Sequence, residues 1–273
     1  MCFDVAEPRE AKMVHPFLGF WFSVAVFLLR IPQEQCADII GGKESSKYSR
    51  PYMAAIICGT STNKPFCGGT LIEPNWVLTA AHCCVGYKST VILGTNSPTR
   101  CKGSQQRFQD TKQIRYPDFD EKSLDNDLML LKLDRPAVIN KGVKPIKLSR
   151  TYADIKPGTS CLVAGWGITQ IGEHEPSKVL REVKVTIFDR SICTNYINGQ
   201  NITENMVCAG SRKGKKNACK GDSGGPLVCS GKQKGIVSFG DPRKCGDPQY
   251  PVIYTFLRKS HFDWIKKNTK GDL

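Results

Sequence analysis

A serine among glycines is the residue best suited to nucleophilic chemistry in this chain of 273 residues. Ser223 lies in the segment CKGDSGGPL, residues 219–227. Glycines permit a tight turn with free backbone N–H groups, and such groups stabilise the oxyanion that forms during acyl transfer. Because a free hydroxyl is a poor nucleophile, the same chemistry requires a base within hydrogen-bond reach.

One of the four histidines has suitable surroundings for that base. His82 follows an apolar stretch in the segment TAAHC, whose small residues leave room for a substrate. The others lie in an apolar leader, in a Gly/Glu/Pro loop and at the start of the last helical stretch: His15, His174 and His261. The imidazole must be held in one tautomer, usually by a buried carboxylate. Asp127 directly precedes the apolar run LMLLKL, which predicts a strand that buries and orients this carboxylate.

Short apolar runs separated by turn residues make up most of the chain after residue 38. Several alternate with period two, as in EVKVTIF, where Val183, Val185 and Ile187 face one side. Strands at this spacing without intervening helices are typical of barrels and sandwiches. A stretch rich in Pro, Lys and Gly, 135–158, divides them into two halves, and the tail alone shows helical spacing. The sequence predicts two small β-barrels, about 39–150 and 151–273, with a C-terminal α-helix.

The first 36 residues predict a secretory signal peptide. Residues 17–29 carry no charge, and they are too few to span a bilayer comfortably. Cleavage around Cys36 would leave the dipeptide Ala37-Asp38 ahead of a domain spanning 39–273. Thirteen cysteines fit the oxidising compartment that such a leader implies. We therefore expect a secreted mature chain with no membrane span; a retained signal anchor is the alternative.

The order of several motifs resembles that of the trypsin-like serine peptidases, also called the chymotrypsin fold. IIGG, TAAHC, DNDLMLLKL, GWG and GDSGGPL occur in the family's order between residue 39 and about residue 269. The resemblance implies two six-stranded antiparallel β-barrels and a serine endopeptidase that forms an acyl-enzyme without metal or organic cofactor. It implies Ser223 as nucleophile, His82 as general base and Asp127 as its orienter. The backbone N–H groups of Gly221 and Ser223 would form the oxyanion hole.

The residues before Ile39 resemble those of the granule serine peptidases, the granzymes. A trypsin-type activator requires Lys or Arg before Ile39, whereas this chain has Asp38. In granzymes a dipeptide such as Ala37-Asp38 is removed by a dipeptidyl peptidase, which implies a zymogen stored in secretory granules. The resemblance further implies that the new α-ammonium group of Ile39 pairs with Asp222 and orders the oxyanion hole.

The primary specificity pocket departs from the tryptic pattern. Tryptic members carry an aspartate six residues before the nucleophile, where this chain has Asn217. The glycine that usually follows the pocket-wall proline is replaced by Val252. An amide lacks the charge that binds Lys or Arg, and valine should shorten the pocket, so we expect cleavage after an uncharged residue such as Met or Leu. Retained Lys/Arg specificity is the alternative. The other substrate-binding positions implied by the resemblance are Ala218, Lys220, Ser238, Phe239 and Gly240.

Four disulfides follow from the resemblance: Cys67–Cys83, Cys161–Cys229, Cys193–Cys208 and Cys219–Cys245. With Cys2 and Cys36 removed in the leader, Cys58, Cys84 and Cys101 remain. An odd number cannot all pair internally, which allows a disulfide-linked homodimer through Cys101 or Cys84.

The chain carries a net charge of +14 and one N-glycosylation sequon, at Asn201. The basic residues form short clusters without zinc-finger, homeodomain or RNA-binding patterns, which argues against specific nucleic-acid binding. Sulfated proteoglycan is the partner that we expect besides protein substrates, while a merely solubilising surface is the alternative. A rival from another class is a catalytically weak peptidase homologue that binds glycosaminoglycans.

Overall fold

Turn residues and alternating apolar residues produce a chain whose regular structure consists mainly of short antiparallel strands. The computed structural model describes residues 39–59, 66–100, 105–109, 111–173, 175–194 and 201–270. The leader, Cys101, His174 and the dipeptide 37–38 lie outside these ranges. Contacts divide the chain between Cys36 and Ala37, and every described residue belongs to the unit that begins at Ala37.

Seven strands of the first half form one antiparallel sheet, in the order β6-β5-β2-β3-β4-β8-β7. Their bounds are β2 Met53–Cys58, β3 Phe66–Glu73, β4 Trp76–Thr79, β5 Ser89–Leu93, β6 Gln106–Phe108, β7 Lys112–Arg115 and β8 Met129–Lys132. The segment before His82 is β4, whose Thr79 pairs with Met129 of β8. This register brings the residues after β4 close to those before β8, and these are the positions of His82 and Asp127.

Six strands of the second half close into a barrel. Their order is β10-β11-β14-β13-β12-β9, and β9 pairs again with β10. Their bounds are β9 Ser160–Gly165, β10 Arg181–Ile187, β11 Met206–Gly210, β12 Pro226–Cys229, β13 Lys232–Phe239 and β14 Val252–Phe256. A seventh strand, β1 Lys43–Glu44, adds to β10. The expected two-barrel class is confirmed, and the C-terminal barrel closes on the expected six strands, with β1 of the other half added to it. The N-terminal sheet has seven strands among the described residues and forms a half-barrel.

Two helices complete the described chain, α1 Arg190–Thr194 and α2 Lys259–Thr269. The tail forms the expected C-terminal helix, and Phe262 and Ile265 of α2 pack into the core of the N-terminal sheet. The C-terminal end of the chain therefore braces the half that carries His82 and Asp127. Among the described residues, no helix has the length and apolar character needed to cross a bilayer.

Five disulfides join residues within the described ranges, and four of them are the pairs that the resemblance implied. The fifth joins Cys58, at the end of β2, to Cys84, with 4.9 Å between the Cα atoms. The expectation that Cys84 could form an intermolecular bond is therefore wrong, because β2 and the turn after His82 meet in the fold. Both cysteines are buried.

Candidate active site

His82 and Asp127 are joined by two hydrogen bonds. Nδ1 of His82 lies 2.7 Å from Oδ2 of Asp127, and the backbone N–H of His82 donates to Oδ1 at 3.0 Å. Asp127 is fully buried, whereas the imidazole is partly exposed. A carboxylate that accepts from Nδ1–H leaves the lone pair on Nε2, which is the tautomer that a general base requires.

Two further side chains hold Asp127 in place. Ser238 Oγ donates to Oδ2 of Asp127 at 2.5 Å, and Thr255 Oγ1 donates to its backbone oxygen at 3.0 Å. Ser238 lies on β13 and Thr255 on β14, so the C-terminal barrel orients a carboxylate of the N-terminal half. The resemblance predicts Ser238 only as a substrate-binding residue, and no feature of the sequence indicates Thr255. The serine of the SFG segment, residues 238–240, is the one sequence feature that could have indicated this contact with Asp127.

The Ser223 turn lies against the strand and turn that carry His82. The carbonyl oxygen of Ser223 accepts from Gly68 N on β3 at 2.8 Å and lies 3.9 Å from Cys83 Sγ. Gly224 fits because a Cβ at that position would overlap Thr79 and the backbone of Gly68. The fold thus brings Ser223 beside the turn that presents His82.

Two backbone N–H groups of this turn have no protein acceptor within the described ranges. The neighbouring groups are used: Asp222 N donates to Cys219 O, and Gly224 N donates to Val237 O. Those of Gly221 and Ser223 make no such bond. Gly221 has a φ of +98°, and a Cβ there would lie 3.0 Å from Gly167 Cα, so only glycine suits this turn. The arrangement leaves a pair of donors able to hold an oxyanion.

Asp222 is a buried carboxylate without a cationic partner among the residues described. Its oxygens accept from Gly167 N at 2.8 Å and from Cys219 N at 2.9 Å. Burial raises the pKa of Asp222 to about 6, against the opposing effect of these two hydrogen bonds. Ile39 is also fully buried, in the core of the C-terminal barrel. Asn217 N donates to Ile40 O at 3.1 Å, which ties the start of the domain to the segment leading to Ser223.

The expected specificity pocket combines a buried amide with a crowded wall. Asn217 is 1% exposed, and its Oδ1 accepts from Ala218 N at 3.0 Å. Val252 is buried, and its Cγ2 would lie 3.2 Å from a Cβ placed on Gly240. The valine side chain therefore lies next to the backbone of Gly240, on the other side of the expected pocket.

The remaining predicted positions lie at or near the surface. Lys220 and Gly240 are exposed, and Phe239 is half-buried. Asn201 is exposed, as glycosylation requires, while Thr203 of its sequon donates to Asp125 at 2.6 Å.

Three potential metal ligands, Cys67, His82 and Cys83, lie close together. The two sulfurs are joined in a disulfide, so they are not available as thiolate ligands.

Comparison with known proteins agrees with this architecture. Residues 39–265 match the Trypsin family. Granzyme A from Bos taurus is 44% identical over 258 residues, covering 92% of this chain and 97% of that protein. Kallikrein-14 from Homo sapiens is 39% identical over 238 residues, covering 87% and 86%. Anionic trypsin from Canis lupus familiaris is 40% identical over 237 residues, covering 86% and 91%.

A two-barrel fold with a histidine–aspartate pair beside a glycine-flanked serine defines the class of serine hydrolases that act on peptide bonds. The chain belongs to the trypsin family. It is a serine endopeptidase related to granzymes, kallikreins and trypsins.

Proposed function

We propose that this peptidase uses Ser223 as nucleophile, His82 as general base and acid, and Asp127 as the residue that orients His82. The contact that carries the assignment is the 2.7 Å hydrogen bond between His82 Nδ1 and Asp127 Oδ2. It fixes the tautomer, and the buried carboxylate stabilises the imidazolium that forms when His82 takes a proton.

The reaction proceeds in two acyl-transfer steps. Ser223 Oγ attacks the carbonyl carbon of the substrate while its proton passes to Nε2 of His82. The oxyanion so formed accepts hydrogen bonds from the N–H groups of Gly221 and Ser223. The carbon–nitrogen bond then breaks, and the leaving amine takes the proton from Nε2. Water, deprotonated by His82, hydrolyses the resulting ester and regenerates the serine.

Labelling with a fluorophosphonate tests the assignment directly. The chain cleaved before Ile39 should lose its activity as one phosphonate attaches to Ser223. Ser223→Ala and His82→Ala should abolish labelling, while Ser46→Ala, at an exposed serine, should leave it intact. Absence of labelling in the unsubstituted enzyme would instead favour the weak homologue that binds glycosaminoglycans.

Cleavage before Ile39 is proposed to activate a zymogen. The support is the burial of Asp222 with backbone partners only, since a buried carboxylate is stabilised by a cation and Ile39 supplies one after cleavage. An alanine inserted before Ile39 displaces that ammonium group, and the cleaved product should then be inactive. Full activity of this variant would contradict the mechanism. The expected activator is a dipeptidyl peptidase that removes Ala37-Asp38.

The primary specificity is proposed to be non-tryptic, with an uncharged P1 residue (the residue whose carbonyl is attacked) such as Met or Leu. Asn217 supplies no negative charge, and Val252 narrows the pocket beside Gly240. A P1-scanning peptide library should show weak cleavage after Arg and Lys. Strong preference for Arg would favour the alternative, a tryptic granzyme.

Secretion, granule storage and binding to sulfated proteoglycan complete the proposal. The basic residues that support it are exposed: Lys141, Lys144, Lys147, Arg212, Lys213, Lys215, Lys216, Arg243, Lys244, Lys259, Lys266 and Lys267. The protein should elute from heparin only at high ionic strength.

Asn201 is the proposed glycan site, and a change in electrophoretic mobility after glycosidase treatment tests it. Because Cys58 and Cys84 are paired with each other, Cys101 is the cysteine through which we propose a disulfide-linked homodimer. Non-reducing electrophoresis tests this proposal.

A further inference from the structure

A buried histidine outside the proposed catalytic set contacts the residue directly before Asp127. His261 is the third residue of α2 and is fully buried. Its Nε2 lies 2.8 Å from Oδ1 of Asn126, and the backbone N–H of Arg258 donates to its Nδ1 at 3.2 Å. The C-terminal helix therefore makes a polar contact with the segment that carries Asp127.

The neighbouring groups determine which ring nitrogen of His261 carries the proton. Nδ2 of Asn126 donates to Asp118 O at 3.1 Å and to Asp125 Oδ2 at 3.3 Å. Because both partners are acceptors, the orientation of the amide is fixed, and Oδ1 faces His261. An amide oxygen only accepts, so Nε2 of His261 carries the proton and donates, while Nδ1 is the acceptor for Arg258 N–H.

Burial keeps this ring neutral. It lowers the pKa of His261 to about 4, against the opposing effects of the Phe256 carbonyl oxygen, 3.1 Å from Nδ1, and of the carboxylates of Asp125 and Asp118. The guanidinium group of Arg258 lowers the pKa further. At pH 7 the ring therefore has one proton, which is the donor to the amide oxygen.

Asn126 sets the course of the backbone through Asp127. Asn126 has a φ of +55°, in the left-handed region that residues other than glycine seldom adopt. Its carbonyl oxygen accepts from Leu128 N at 2.8 Å, which closes a turn of three residues centred on Asp127. Because so tight a turn leaves its central residue little freedom, the conformation of Asn126 determines where the Asp127 carboxylate points.

The ring of His261 is itself held rigidly beside this turn. Tyr116 packs against it edge to face, with 4.9 Å between the ring centroids, and Tyr116 N donates to Leu128 O at 3.1 Å. Phe262, the next residue of α2, packs into the core of the N-terminal sheet. A donor on a packed helix fixes its acceptor more precisely than a donor on a loop would.

We propose that His261 is a positioning residue for catalysis, which holds Asn126 in its left-handed conformation and so sets the direction of the Asp127 carboxylate. This inference rests on the proposed catalytic roles and adds a residue that touches neither the substrate nor the reacting atoms. Without the Nε2 donor, the amide oxygen loses its partner and the left-handed conformation loses its support. The carboxylate then holds the imidazole of His82 less precisely, which lowers the rate of proton transfer more than the affinity for substrate.

Two substitutions at residue 261 differ in whether they keep the donor. His261→Gln places an amide N–H near the position of Nε2–H, whereas His261→Phe keeps an aromatic ring and removes the donor. In the chain cleaved before Ile39, His261→Phe should lower kcat about tenfold, the effect of one lost hydrogen bond, with KM within about twofold of the unsubstituted value. His261→Gln should keep kcat within about threefold.

Asn126→Gly tests whether the effect passes through the amide of Asn126. Glycine adopts the left-handed conformation without a side chain, so this variant keeps the turn and removes the contact. In the Asn126→Gly background, His261→Phe should change kcat by less than about twofold, because its partner is already absent. A further tenfold loss in this background would show that the ring acts by another route, and it would overturn the proposal.

A control variant and a spectroscopic measurement separate positioning from stability. Phe262→Leu leaves a cavity on the same helix, so it should lower Tm but keep kcat within about threefold. The proton between His82 Nδ1 and Asp127 Oδ2 is observed by NMR without substrate, because a short hydrogen bond moves its resonance far downfield. This resonance should move upfield in His261→Phe and stay in place in Phe262→Leu and His261→Gln.

The outcomes separate this inference from the proposed function. An enzyme that is labelled by fluorophosphonate and cleaves peptides, but whose kcat and proton resonance are unchanged in His261→Phe, overturns the positioning role and leaves the peptidase assignment intact. Equal losses of kcat in His261→Phe and His261→Gln also overturn it, because the donor is then not the cause. An unsubstituted cleaved chain that is neither labelled nor active contradicts both proposals.

Discussion

The Cys58–Cys84 disulfide should make a large contribution to stability and a small one to catalysis. It closes a loop of 26 residues between the end of β2 and the turn after His82. In the chain-entropy description, opening a loop of this length destabilises the folded state by about 3.5 kcal/mol. For a domain of this size, that loss corresponds to a fall in Tm of about 7 to 14 °C. The perturbation is the double substitution Cys58→Ser with Cys84→Ser, which leaves no unpaired thiol from this bond.

Catalysis should survive because other contacts position His82. Its imidazole and its backbone N–H both bind Asp127, and the neighbouring Cys83 is bound to Cys67 on β3. We therefore expect kcat/KM at 25 °C to stay within about threefold of the unsubstituted value, because loss of the Cys58–Cys84 disulfide leaves the contacts between His82 and Asp127 intact. Thermal unfolding followed by circular dichroism gives Tm, and a peptide substrate gives kcat and KM below the transition.

A control variant separates the general loss of stability from a specific effect of removing the disulfide next to His82. Cys193–Cys208 spans 15 residues in a different core cluster, so Cys193→Ser with Cys208→Ser should cost about 3 kcal/mol. Both double variants should thus show similar falls in Tm. An unchanged Tm in the Cys58/Cys84 variant would refute the loop-closure reasoning. A fall in kcat beyond a hundredfold in that variant alone would show that Asp127 is insufficient to position His82.

Three further expectations follow from the site. Ser238→Ala removes a donor to the buried Asp127 carboxylate and should lower kcat about tenfold with little change in KM, measured by steady-state kinetics. Asn217→Asp combined with Val252→Gly restores a charge and opens the pocket, so kcat/KM for a P1 Arg peptide should rise about a thousandfold. Because the pKa of Asp222 is raised to about 6, its contribution to the free energy of unfolding of the uncleaved chain is fully present below pH 4 and is lost as the pH rises through 6. The loss amounts to about 3 kcal/mol in total. Urea unfolding gives the free energy of unfolding of the cleaved and uncleaved forms. The value for the cleaved form minus that for the uncleaved form should increase by this amount between pH 4 and pH 7, and a constant difference would contradict the reasoning.

The candidate catalytic residues could be proposed from sequence because each motif carries a local constraint. Small residues before His82 and glycines around Ser223 are needed to bring the two turns together, and Gly224 shows why, since any side chain there would overlap β4 and β3. Asp127 precedes a run that is buried throughout β8 except at its end. Local composition therefore carries the information that the fold uses at these positions.

The contacts that sequence could not predict are those between distant segments. Cys58 pairs with Cys84 because β2 ends beside the His82 turn, and nothing in the spacing of the cysteines indicates it. Ser238 reaches Asp127 across 111 positions of sequence and from the other half of the molecule. The hydrogen bond from Ala218 N to Asn217 Oδ1 likewise depends on a side-chain orientation that only the fold determines.

In the proposed mechanism, activation and specificity depend on two different polar groups of one segment. Asp222 is a buried acid without a cationic partner among the described residues, so its ionisation at neutral pH should oppose the loop conformation that presents Gly221 and Ser223. We propose that a new ammonium group at Ile39 removes that opposition. Asn217, five positions earlier, is neutral, so the charge created by cleavage does not alter which side chain it can bind. Substitutions at residue 217 should therefore change the choice of substrate in the cleaved enzyme while leaving the dependence of activity on cleavage intact.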